Sequence, residues 1–221
     1  MEFNDKTTVG EVVTKDNRAF NVFFSLEIDF CCDGEDNLFK ALDSKDTTIE
    51  KFEELLGQVK HPVSNKENIM YDTYKKEELI KSIVEHQHKY AKMMMSKIDP
   101  LFLGLLVEEG KDCEILFDVY KLFGHMKSDL AQHLIKEETI DFLKIINAKE
   151  EAEVDDIVNM LKDEHEDVGH MMEEMVELTD WFNLSDNSSE KAKEVFKLLD
   201  DLVVDTHFHI HLENNILFKE I

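Results

Sequence analysis

His133 and Glu137, and again His209 and Glu213, are written H-x-x-x-E in two separate stretches of apolar periodicity. A spacing of four puts both side chains of a pair on one helix face, a turn apart. From there an imidazole nitrogen and a carboxylate oxygen can bind one metal ion or reach two neighbouring ones. One such pair is ordinary in a helical chain with 10 histidines. Two pairs, with His88 and His165 on further helices, point to a metal site inside a bundle. Facing each other, the pairs would set two carboxylates between two metals flanked by histidines, as in carboxylate-bridged di-iron bundles, although the commonest motif there is Glu-x-x-His. Imidazole and carboxylate suit iron, zinc and manganese alike, so ligand type leaves the metal open.

The other histidines read as surface or core residues. His61, His125, His170, His207 and His211 fall in that group. His207 and His211 lie two positions either side of His209, about 200° around the helix from it, and cannot share its direction. Spacing alone does not choose between His86 and His88 on the first long helix, or between His165 and His170 on the third.

The elements that would carry these residues are helical. Thr8-Val9-Gly10-Glu11 is a capping box opening a short helix to about Ser25. A turn-like break, Ile28 to Gly34, carries the adjacent Cys31 and Cys32. Short helices follow from near Asp36 and, after the capping pattern Thr47-Thr48-Ile49-Glu50, to about Val59. Residues 1–60 thus form a small helical N-terminal domain, 61–73 a polar linker, and 74–221 a larger domain. In the larger domain, helices are expected from Tyr74 to Ile98, stopping before Pro100 and resuming over Leu101–Glu109. Others span Cys113–Ile146, Val154–Phe182 and Ser189–Lys219. Apolar residues recur at three- and four-residue steps, as in Leu116, Val119, Leu122, Phe123, Met126 and Leu130. Long amphipathic helices with short polar connections make an antiparallel four-helix bundle.

Composition agrees and narrows the function. Only 7 Gly and 2 Pro occur in 221 residues, against usual frequencies of roughly 7% and 5%. The net charge of −25 repels phosphate backbones and anionic membranes, which argues against nucleic acid or a membrane surface as partner. Residues 1–30 lack a signal-peptide pattern and no apolar run reaches about 18 residues, so the expected location is the cytoplasm. Three cysteines do not make a disulfide framework.

Five stretches resemble the iron–sulfur cluster repair di-iron proteins of the YtfE, ScdA and RIC type. They are Thr8-Val9-Gly10-Glu11-Val12-Val13, Ile28-Asp29-Phe30-Cys31-Cys32, His133-Leu134-Ile135-Lys136-Glu137-Glu138, Asp163-Glu164-His165-Glu166, and His209-Ile210-His211-Leu212-Glu213-Asn214-Asn215-Ile216-Leu217-Phe218. The resemblance covers nearly the whole chain. It implies an all-α, hemerythrin-like four-helix bundle holding two carboxylate-bridged non-haem iron ions, behind a small helical domain with a vicinal cysteine pair. By motif, His133, His165 and His209 are iron ligands and Glu137 and Glu213 are bridges. The family often has a Tyr two positions after its first-helix histidine, and Tyr90 therefore favours His88 over His86. The family's fifth histidine is replaced by Glu109, before Gly110. Either Glu109 supplies an oxygen ligand, lowering the reduction potential, or that iron keeps an open or water-filled position; Glu108 is a weaker candidate. The cysteine pair implies thiol chemistry or metal handling more than a structural bridge, and nearby acids should raise the thiol pKa.

The function implied is repair of iron–sulfur clusters damaged by nitric oxide or oxidants, by iron delivery or by nitric-oxide chemistry at an open iron position. Whether that includes a nitric-oxide reductase-like activity is left open. Damaged iron–sulfur proteins are the implied partners. One rival is a hemerythrin-like protein that binds or senses oxygen or nitric oxide. Another is a non-catalytic module that docks a partner or forms a homodimer.

Overall fold

A computed structural model describes residues 3–59 and 71–220. Most of the expected linker, with His61, lies outside the described residues. Those described are helical apart from loops and one isolated bridge between Thr8 and Asn37. They divide into two compact units: Met1–Lys81 with His207–Ile221, and Ser82–Thr206.

In the first unit, α1 (Val9–Lys15) begins as expected: Thr8 Oγ1 accepts from Glu11 N and the Glu11 carboxylate accepts from Thr8 N. The single helix expected to Ser25 is instead two, α1 and α2 (Arg18–Ser25). Asp16 breaks it by taking extended backbone and using its carboxylate to accept from Arg18 N, the local competition that makes Asp a poor helix interior. Next come α3 (Leu38–Ser44), capped by Asn37, and α4 (Ile49–Gln58), whose cap is Thr48 accepting from Lys51 N. Phenylalanines form the centre of this unit. Phe23 stacks on Phe52 at 5.0 Å, and Phe20 meets Phe30 at 4.6 Å.

After α5 (Lys76–Ile83), the second unit holds four long helical segments. The first passes through a π-helical turn, Val84–His88, into α6 (Lys89–Glu109). The stop expected before Pro100 does not occur, since Pro100 sits inside α6. Proline removes the hydrogen bond to the Ser96 carbonyl. Ser96 and Pro100 are both exposed, where water can take that carbonyl, and burial of Met94, Met95, Ile98, Phe102 and Leu105 holds the helix on either side.

The second segment is α7 (Ile115–Lys136), a π-helical turn over Glu137–Asp141, and α8 (Phe142–Asn147). The third, α9 (Asp155–Leu178), ends earlier than the periodicity suggests. Asp180, Trp181 and Phe182 turn to positive φ, and Trp181 N donates to Val176 O, satisfying an end carbonyl. The fourth is α10 (Glu190–Asn215), whose final residues from His207 belong to the first unit. Among the described residues, no helix is long and apolar enough to cross a membrane.

Candidate metal centre

In the second unit, His88 ends one π-helical turn and Glu137 begins the other. Both side chains are fully buried. Such turns shift side-chain direction within a continuous helix and are frequent at functional sites. Here one carboxylate oxygen, Oε2 of Glu137, lies 3.4 Å from Nε2 of His88 and 3.3 Å from Nε2 of His133. His165, on α9, brings its Nε2 to 3.2 Å from that of His133. Ligand atoms of His133, Glu137 and His165 all lie within 4.8 Å of one another.

The imidazoles are oriented from behind. Nδ1 of His88 lies 2.9 Å from Oε1 of Glu138, and Nδ1 of His133 lies 2.8 Å from Oε2 of Glu164. Each of these carboxylates is held by a lysine, Lys92 at 2.7 Å and Lys136 at 2.6 Å. Burial pushes the Glu138 carboxyl up, but the hydrogen bonds from Lys92 and His88 outweigh it and hold the group below its ordinary range. The His133 hydrogen bond, helped by Lys136 against partial burial, holds Glu164 down at about 2. An ionised carboxylate only accepts, so each imidazole donates from Nδ1, and in the neutral ring that leaves the lone pair on Nε2. That is the tautomer a metal ligand needs, fixed by an outer carboxylate.

The first unit holds a histidine–carboxylate pair of its own. On the last turns of α10, Nε2 of His209 lies 2.8 Å from Oε1 of Glu213, and both residues are buried. His211, between them, has a different job. Its Nδ1 meets Asn215 at 3.3 Å and its Nε2 meets Thr14 Oγ1 at 3.3 Å, and burial pushes its pKa down to about 4. It is a neutral, hydrogen-bonded core histidine. His86, His125 and His170 are exposed, whereas His88 and His165 are buried.

Glu109 requires a correction. It is the last residue of α6, and His88 immediately precedes the first. At 1.5 Å per residue the two are about 30 Å apart along one helix axis, so they cannot serve one centre. The neighbour of Glu109, Glu108, is exposed and pairs with Lys191. The sequence context before Gly110 marked a helix end, not a site. Cys113, where the second long helix was expected to start, is exposed in the turn before α7.

Glu138 and Glu164 were not picked out as functional by spacing, yet a signal existed. Each is the chain neighbour of a residue facing the centre, Glu138 of Glu137 and Glu164 of His165. Beside His133 lies a cavity of about 290 Å³ lined by Gln132, Lys136, Glu164, Asp167 and Val168 among others.

The donors fit iron. Imidazole nitrogens and a carboxylate oxygen, in the right tautomer and buried, form a set that iron accepts in either common oxidation state. A carboxylate taken wholly out of water also demands compensating positive charge, which a bound cation supplies.

Comparison with known proteins agrees with this chemistry. Residues 79–221 match the family model described as the hemerythrin HHE cation binding domain, and residues 5–60 match one described as ScdA_N, a domain of unknown function. The chain is 27% identical to an iron-sulfur cluster repair protein ScdA of Staphylococcus epidermidis, over 96% of each chain. It is 26% identical to the protein of that name from Staphylococcus haemolyticus, over 98% of each. With an iron-sulfur cluster repair protein YtfE of Pectobacterium atrosepticum it shares 25% identity, over 99% of this chain and 97% of that one.

Proposed function

The chain belongs to the hemerythrin HHE cation-binding family, and on that premise we propose that it is a cytoplasmic di-iron protein that repairs iron–sulfur clusters damaged by nitric oxide or oxidants. The ligands in this reading are His88, His133, His165 and His209, with Glu137 and Glu213 as bridges. The N-terminal domain over 1–60 and the iron domain over 74–221 work as one repair protein, as the full-length likeness to the repair relatives supports.

One observation carries the reading: Glu137 meets imidazoles from two different helical segments, each anchored on its far side by its own lysine-held carboxylate. A carboxylate so placed can serve two ions at once. When bound, iron supplies a reversible ferrous store and a position at which a small ligand such as nitric oxide can bind.

The residues do the remaining work. Outer carboxylates hold the imidazoles by Nδ1 and keep Nε2 aimed inward, so little reorganisation accompanies metal binding or loss. As carboxylates, Glu137 and Glu213 would each offer the iron two oxygens. The cavity beside His133 provides room for water or a diatomic molecule next to one ligand. Lys136, on its wall, is engaged with Glu164 and keeps that carboxylate in place.

The test is iron analysis with Mössbauer spectroscopy on the full chain and on Glu137→Ala. Two coupled irons, lost together in the variant, are expected; a single isolated metal in the parent protein overturns the centre. Repair is read by incubating the iron-loaded chain with a nitric-oxide-damaged cluster protein, whose cluster absorption should return with the parent chain and not with Glu137→Ala. Stable reversible oxygenation without cluster recovery would assign the protein to oxygen binding instead.

A further inference from the structure

The first unit holds a second group of metal-ligating side chains, distinct from the histidines in chemistry. Asp29 Oδ1 accepts from the N–H of Cys31 at 2.8 Å and of Cys32 at 2.9 Å, a tight side-chain-capped turn that fixes both cysteines. The turn is clamped from outside. The Cys31 carbonyl accepts from Asn214 Nδ2 at 3.2 Å and from Asn215 Nδ2 at 3.0 Å, and the Phe30 carbonyl accepts from Asn215 Nδ2 at 3.1 Å. Two glycines let the backbone press against that amide: a Cβ at Gly34 would sit 1.8 Å from Asn215 Oδ1, and one at Gly10 2.6 Å from it. The cysteines are therefore held in place, not carried on a loose loop.

Their sulfurs are 3.9 Å apart, with Cys31 buried and Cys32 half-buried. Ligand atoms of Asp29, Cys31 and Cys32 all lie within 4.8 Å of one another. The sulfur separation discriminates between uses. A disulfide needs about 2.05 Å, and adjacent cysteines reach it only with strain. Linear two-coordination at bonds of about 2.3 Å would need a separation of about 4.6 Å, whereas the edge of a tetrahedron with the same bonds is about 3.8 Å.

We propose that Asp29, Cys31 and Cys32 form a tetrahedral site for a thiophilic divalent cation of the zinc or ferrous class, with its fourth position open to water or to an incoming thiolate. As each metal–sulfur bond forms, the thiol proton leaves to solvent, so binding releases two protons and moves no electrons. Two thiolates and a carboxylate carry three negative charges, and a divalent ion leaves the site at minus one. Without metal the Cys31 thiol is quiet: the Cys32 hydrogen bond, burial and Asp29 together push its pKa well up. The site stands independently of the histidine–carboxylate centre. If that centre does serve repair, the open fourth position is where ferrous iron would change hands between thiolates.

Cobalt(II), added without oxygen to the full reduced chain in a Cys113→Ser background, is the probe. Thiolate ligation gives a ligand-to-metal charge-transfer band in the near ultraviolet, to which histidine and carboxylate ligands do not contribute; it is read as a difference spectrum. One equivalent is expected to produce the band, with zinc displacing it, and Cys31→Ser or Cys32→Ser to abolish it. Asp29→Asn keeps the carbonyl that holds the turn and both thiols, and should weaken cobalt binding at least about tenfold. Iron content at the histidine centre, measured on each variant, should stay constant and separates failure of this site from failure of the other. Absence of the band in the reduced parent overturns the proposal, as does a band that survives in Cys32→Ser, whose side chain is half-buried and tolerates the change. Unaltered cobalt affinity in Asp29→Asn removes Asp29 from the site and overturns the three-ligand assignment.

Discussion

Glu164 accepts a hydrogen bond from Nδ1 of His133 at 2.8 Å, so the rear of that imidazole is fixed by the protein alone. Glu138 does the same for His88 at 2.9 Å, and each carboxylate is braced by a lysine one turn along from the imidazole it holds, Lys92 after His88 and Lys136 after His133. Two helical segments thus arrive independently at one device. The order of the rear contact, lysine to carboxylate to imidazole, leaves the front nitrogen basic and aimed.

Removing the brace should therefore loosen metal without unfolding the chain. Glu164→Ala is expected to reduce iron affinity about 10- to 100-fold, the usual cost of losing an outer-shell partner. Competition with a chromogenic ferrous chelator measures it, with far-ultraviolet circular dichroism unchanged. Affinity equal to the parent would mean that Glu164 plays no part in holding iron.

Glu109 should be silent. With about 30 Å of helix between it and His88, Glu109→Ala and Glu109→His should leave iron content and reduction potential at parental values. A shifted potential in either variant, read by redox titration, would restore Glu109 to the centre and contradict the helix geometry.

The two ambiguous histidine choices separate by burial. His88→Ala and His165→Ala are expected to lose iron, while His86→Ala and His170→Ala, at exposed positions, retain it. Elemental analysis of the four purified variants decides, and retention of full iron in His88→Ala would be the failing result.

Gly34→Ala places a methyl where Asn215 sits and should destabilise the protein by roughly 1–3 kcal/mol, the range for overpacking a close contact. Gly57→Ala is its control. Nothing lies within 4 Å of a Cβ there, and the change should be neutral or stabilising by up to about 1 kcal/mol through reduced freedom of the unfolded chain. Urea midpoints of the two variants against the parent give the comparison.

Much of this molecule was legible in its sequence because helices write their buried face at three- and four-residue steps. His133 with Glu137, and His209 with Glu213, obey that rule, and both pairs are buried. What the rule cannot express stayed hidden. Asp16 splits the first helix through a side-chain hydrogen bond that competes with the backbone, which no periodicity shows. Pro100 reads as a stop, yet apolar burial on both sides carries the helix through it. Glu109 sat in a suggestive context, but sequence distance converts to 1.5 Å per residue only once the helix is known to be unbroken. Glu138 and Glu164 were hidden because an outer carboxylate is defined by what it touches on another helix.

The π-helical turns at Val84–His88 and Glu137–Asp141 each accommodate one residue more than an α-helical turn. One surplus residue advances the phase of everything after it by about 100°. Glu137 keeps the direction that α7 sets, with its N–H on the His133 carbonyl, and His88 the direction of α6, while the element on the far side of each turn packs in its own phase. A deletion of one residue in either turn would let the helix relax to its ordinary count at the expense of that phase difference. The match of ligand aim to packing beyond each turn is therefore encoded as an insertion, and residue number along these two helices carries information that residue type does not.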